Sequence, residues 1–139
     1  MFQQLVARLF GSDPSPAGGE PSINPNTDAY RDQPLYHQAM QAYAEEEYAT
    51  AFPLLSRFAQ QGDAEAQYRL GLMHINGEGT PQDTRRAVRL LTRAADQNNA
   101  SAQLTLGVLY QNGWGVPQDS NEGERYLQLA AAQGESVTQ

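Results

Sequence analysis

Two histidines, a patch of arginines and a pair of glycine-rich loops are the features with which this chain of 139 residues could do chemistry. His37 and His74 could each ligate a metal or act as a base, but neither has a metal-ligating partner at a useful spacing. His74 is matched by Tyr110 at an offset of 36, so that position holds an aromatic-sized ring rather than a ligand. Gly77-x-Gly79 and Gly113-x-Gly115 resemble phosphate cradles, yet a phosphate loop needs a preceding strand and a lysine, and the chain has no lysine. Cysteine is absent, which excludes disulfides and thiolate metal sites. No nucleophile has a plausible activating partner, so the expectation is no catalytic residue, no metal and no cofactor. Arg85, Arg86, Arg89 and Arg93 crowd one or two faces of a single helix. They read either as a docking site for an acidic partner or phosphate, or as a solvated outer face.

The charge balance narrows the partner classes. Sixteen acids against nine bases give a net charge of -7. Nucleic-acid affinity requires a basic footprint that releases counterions, so nucleic acid is not expected. No apolar run reaches the 18 or so residues of a membrane span. The first ten residues lack a basic leader and a small-residue cleavage site, so they are expected to be retained, in a cytoplasmic protein.

Those same ten residues form the first of four regions. Phe2, Leu5, Val6 and Leu9 recur at i, i+3, i+4 and i+7, and Phe10 extends the face. Such a segment is too short for a stable isolated helix and is expected to become helical only when its apolar face is covered. It could dock in cis, in trans or on a membrane, the last being weakened by its single basic residue, Arg8. Residues 11–34 hold five prolines and three glycines and read as a disordered linker. Residues 35–134 form the repeat domain, and residues 135–139 are a tail.

The repeat carries the fold. Residues 61–96 and 97–132 are identical at sixteen of 36 positions. Ala66, Leu70 and Met73 recur as Ala102, Leu106 and Leu109, the stripe of a buried helix face. Gly71 and Gly107 interrupt these helices at a cost of roughly 1 kcal/mol each, which close approach of a neighbouring helix would offset. The loops NGEGTPQD and NGWGVPQD end one helix and lead to the next, with Asp83 and Asp119 as N-caps. Glu122 stands where it would complete a capping box with Asp119. Gly123, aligned with Ala87, is expected to weaken the last helix. The expected fold class is all-α, a short right-handed solenoid of about three antiparallel helix pairs.

The pattern A-E-A-Q-Y-x-L-G-x-M-x-x-N-G-x-G-x-P-Q-D, followed by A-x-x-L-L-x-x-A-A, resembles the Sel-one-like repeat, a relative of the tetratricopeptide repeat. The likeness covers two full units over 61–134, and residues 35–60 resemble a plain tetratricopeptide hairpin. The resemblance implies a non-enzymatic, often bacterial adaptor that binds a protein or peptide in a concave groove lined by the first helix of each pair. Carried onto this sequence, the groove positions are Tyr36, Met40 and Tyr43, then Tyr68, Leu72 and Ile75, then Leu104, Val108 and Gln111. Trp114 replaces Glu78 in the loop and reads either as an interface anchor or as a cover for its own repeat. Tyr126 and Leu129 of the last helix are expected to lie uncovered, which would favour a homodimer through that end. Two further readings are a regulatory or membrane-associated assembly factor acting through residues 1–10, and an accessory subunit of an enzyme.

Overall fold

The computed structural model describes residues 29–134. A one-turn 3-10 helix, Ala29–Asp32, leads into six α-helices, α1 Pro34–Ala44, α2 Tyr48–Gln60, α3 Ala64–Asn76, α4 Thr84–Asp96, α5 Ala100–Asn112 and α6 Ser120–Ala132. No strand occurs among the described residues. Each helix packs on the one before it, so the chain stacks three antiparallel pairs into a short right-handed α-solenoid. The N-terminal segment with Phe2, Leu5, Val6, Leu9 and Phe10 lies outside the described residues, as do most of the expected linker and the tail.

The described fold includes residues before the expected boundary at Leu35. Tyr30 and Arg31 belong to it. The Tyr30 ring is 5% exposed, stacked on Phe58 at 6.3 Å and edge-on to Tyr36 at 5.5 Å. Below these rings lies Asp63, fully buried and the N-cap of α3. Its Oδ2 accepts from the Ala66 N–H at 2.8 Å and from the Tyr36 hydroxyl at 2.9 Å. Its Oδ1 accepts from the Tyr30 hydroxyl and forms an ion pair with Arg31 at 3.1 Å. A buried carboxylate is tolerable only when its lone pairs are filled and its charge is met, and here both hold. Burial, then the hydrogen bond to Asp63, pushes the Tyr30 hydroxyl up to about 12.

Two core clusters share the interior, one spanning Tyr30 to Met73 and the other spanning Leu91 to Tyr126. Buried glutamines repeat with the helices. Gln67 donates to the Ala59 carbonyl at 3.1 Å and accepts from Gln97 at 3.0 Å. Gln103 does the same with Ala95 at 3.2 Å and Gln133 at 2.8 Å. Each pair therefore ties a helix to the last turn of the helix before it and to the end of the helix that follows it.

The helix ends follow the sequence signals with one exception. Asp83 and Asp119 each cap their helix at 3.1 Å, through the N–H groups of Arg86 and Glu122. The Glu122 side chain does not return to the cap. It holds Arg125 at 2.7 Å, so only half of the capping box forms. Gly77 and Gly113 end α3 and α5 in the left-handed conformation, at φ of 70° and 69°.

The glycines inside the helices mark close approach. A methyl added at Gly107 would stand 2.6 Å from the Leu127 side chain and 3.0 Å from the Gly123 carbonyl. One added at Gly123 would meet the Gly107 carbonyl at 2.9 Å and the Gln111 N–H nitrogen at 3.2 Å. Gly123 is thus required by the packing of α5 on α6 rather than being a weak point in the last helix.

Candidate protein-binding groove

The nine groove positions lie on α1, α3 and α5, but they separate into three kinds. Tyr36 does not line a groove. It is 7% exposed, its hydroxyl is bonded to Asp63, and burial followed by the Asp63 charge raises it far above an ordinary tyrosine. Helix α1 meets the buried cap of α3 there, which a helical stripe alone does not reveal.

Met40 and Tyr43 are half-buried against the first core cluster, and Tyr68 and Ile75 against the second. Tyr43 is further held by Tyr48, edge-on at 5.9 Å, and by the Arg69 guanidinium, 5.1 Å above its ring. Arg69 is itself paired with Glu65 at 2.8 Å. Tyr43, Arg69 and Glu65 thus link α1 to α3, and burial pushes the Tyr43 hydroxyl up to about 12.

The third kind comprises Leu72, Leu104 and Val108. They are half-buried and belong to neither core cluster. Leu72 and Val108 occupy the same repeat position, and Leu104 precedes Val108 by one turn. All three are apolar positions that the fold does not use for either core cluster. Gln111 is exposed, with its Cγ in the space a Gly123 methyl would need.

Trp114 is 57% exposed and does not lie flat on its repeat. Its backbone N–H donates to the Leu109 carbonyl at 3.0 Å, and the residue shares a recess with Ile75 and Thr84. Gly115, at φ 78°, lets that loop rest on the start of α4, where an added methyl would meet the Thr84 side chain at 2.4 Å. Tyr126, expected to be uncovered, is buried instead, stacked on Tyr110 at 5.9 Å and roofed by Arg125 at 4.4 Å. Leu129 beside it is 40% exposed.

Among the described residues no group of three or more histidine, cysteine, aspartate or glutamate side chains could hold a metal ion. No helix there is long and apolar enough to cross a membrane.

With helix pairs of this register and loops of this form on two successive units, the family comparison is decisive. The Sel1 repeat matches residues 64–99 and 100–135. The chain belongs to the Sel1 repeat family. A Sel1 repeat protein from Oxalobacter formigenes is 29% identical with a TM-score of 0.67, over 71% of this chain and 40% of the other. The protein c5321, a protective antigen of uropathogenic Escherichia coli with the same repeat fold, is 32% identical with a TM-score of 0.68, over 82% and 26%. Helicobacter pylori cysteine rich protein B shares the fold at 24% identity and a TM-score of 0.59, over 61% and 64%. The chain spans well under half the length of the first two. No match was found among curated proteins. The Sel1 repeat is a protein-interaction scaffold, and the apolar positions Leu72, Leu104 and Val108 are read in that light.

Proposed function

We propose that this Sel1 repeat chain is a non-enzymatic adaptor that binds an amphipathic helix or an extended peptide of a protein partner. The observation that carries this reading is the strip of Leu72, Leu104 and Val108, apolar, half-exposed and outside both core clusters. Half-buried Met40 and Tyr43 of α1 and exposed Trp114 after α5 are added to it. Methionine and aromatic side chains adapt to varied apolar partners, and tryptophan is enriched where interfaces concentrate their energy. The bacterial sources of the three structural relatives fit a bacterial protein. Homodimerisation has only the exposed Leu129 in its favour.

The test is substitution within the strip. Leu72→Glu or Val108→Glu would place an unpaired carboxylate under the partner, at a cost of several kcal/mol, roughly a hundredfold or more in affinity. Helical content by circular dichroism should be unchanged, because neither residue serves the core. Loss of helix in place of loss of binding would show that the strip is core.

A further inference from the structure

The opposite face of α3 borders a second recess. Leu70 and His74 each stand two residues from Leu72, about 160° around the helix. On that side α2, α3 and α4 enclose an open pocket with Phe52 and Leu90 in its walls, His74 at its floor and Arg86, Arg89 and Arg93 along its rim. None of the residues lining it is acidic. The three arginines lie at i, i+3 and i+7 of α4 and are exposed, and among the described residues none of them forms an ion pair. His74 is 4% exposed, its ring is edge-on to Phe52 at 5.8 Å, and its Nδ1 has no hydrogen-bond partner among the described residues.

The corresponding place one repeat later shows that the scaffold does not require this arrangement. There Tyr110 and Tyr126 stand for His74 and Leu90, and their stacked rings fill the space. Glu122 and Leu129 stand for Arg86 and Arg93, and the retained arginine, Arg125, is neutralised by Glu122. Three unpaired guanidiniums over an apolar recess are therefore peculiar to the first full unit, in a chain whose net charge is -7.

We propose that this pocket docks an acidic segment of a partner protein, an apolar side chain entering between Phe52 and Leu90 while flanking carboxylates pair with Arg86, Arg89 and Arg93. Guanidinium groups bind carboxylates through paired, charge-assisted hydrogen bonds. Arg86 and Arg93 are about 10 Å apart along the helix, at about 1.5 Å per residue. That spacing suits several carboxylates in a row and is too open for one small anion to satisfy all three. The site is separate from the groove on the other side of α3 and does not depend on it.

The full chain, isotope-labelled, is titrated with a seven-residue blocked peptide alternating glutamate and leucine, with its glutamine counterpart, and with inorganic phosphate. The glutamate peptide is expected to shift the signals of Phe52, His74 and Leu90 and leave those of Leu72 and Val108 in place. Its affinity should fall as salt rises. The triple variant Arg86→Gln/Arg89→Gln/Arg93→Gln should weaken it at least tenfold, about what one lost charged hydrogen bond costs. Leu90→Tyr, which copies the filled second unit, should abolish the shifts with all three arginines present. Four results would overturn the proposal. These are no binding by the glutamate peptide, equal binding by the glutamine peptide, saturation of the same signals by phosphate alone, or peptide-free shifts in residues 1–28 of the triple variant, which would mean that the leading segment already fills the pocket.

Discussion

The two full repeats share their register, their loops and their glutamine ties, yet they are stabilised differently. In the first, α3 begins on Asp63, a buried carboxylate that gathers Tyr30, Arg31 and Tyr36 from the preceding segment. In the second, α5 begins on Asn99, a half-buried neutral cap whose amide donates to Glu65 at 3.3 Å. The helix pairs differ too. A methyl at Gly71 would stand 3.5 Å from the Ala87 carbonyl, whereas one at Gly107 would stand 3.0 Å from the Gly123 carbonyl. The second pair is thus more tightly apposed and its outer space is filled by tyrosines. The first pair leaves its recess open and relies on a polar clamp. A repeat conserves the backbone arrangement, and the chain uses the remaining positions to give each unit its own surface.

The largest effect that would break this comparison is at the caps. Asp63→Ala should cost about 3–5 kcal/mol, because it removes the α3 cap and leaves two buried hydroxyls without their acceptor. Asn99→Ala should cost about 1 kcal/mol, the usual value of one cap. Equal losses in denaturant unfolding would mean that the clamp adds nothing to an ordinary cap. The glycines come next. Gly107→Ala should destabilise by about 1–3 kcal/mol, since α6 must move, whereas Gly71→Ala should be close to neutral, the helix propensity gained offsetting a small shift of Leu91. If both proved neutral, the tighter apposition of α5 and α6 would not exist.

The smallest effect is alkaline. Tyrosine ionises near 10 in the unfolded chain, and Tyr30 is raised to about 12 in the fold, first by burial and then by its bond to Asp63. Tyr36 is raised in the same direction. The folded state thus keeps protons that the unfolded state releases, so this contribution is complete below pH 10 and is lost as pH rises through 12. Melting temperature should fall by a few degrees over that interval, and by less in Tyr30→Phe. An identical fall in the variant would remove Tyr30 from the account.

The sequence makes the repeat legible because a 36-residue offset imposes the same apolar stripe, stop and restart twice. Helix spacing and the caps Asp83 and Asp119 follow from it. What does not repeat stays hidden. Tyr30 and Arg31 sit among prolines and glycines, and a single turn has no period to betray it. Nothing in the sequence marks Asp63 as buried, since the residues that enclose it, Tyr30 and Tyr36, lie some thirty positions earlier. Of the nine expected positions, Leu72, Leu104 and Val108 are half-exposed, whereas Tyr36, at the same spacing, joins the clamp. The sequence places Tyr126 near an open end, but the aromatic partner that covers it, Tyr110, is a tertiary neighbour sixteen residues away.

The central claim is that the strip on α3 and α5 meets a protein partner, and site-specific photo-crosslinking in the native host tests it most directly. A photoreactive side chain placed at Val108 should give a discrete adduct with one protein, and the same group at Gln128, exposed on α6, should give none. The Val108 adduct should disappear in the presence of Leu72→Glu, with the helical content intact. No adduct from Val108, or the same adduct from Gln128 as from Val108, would contradict the account.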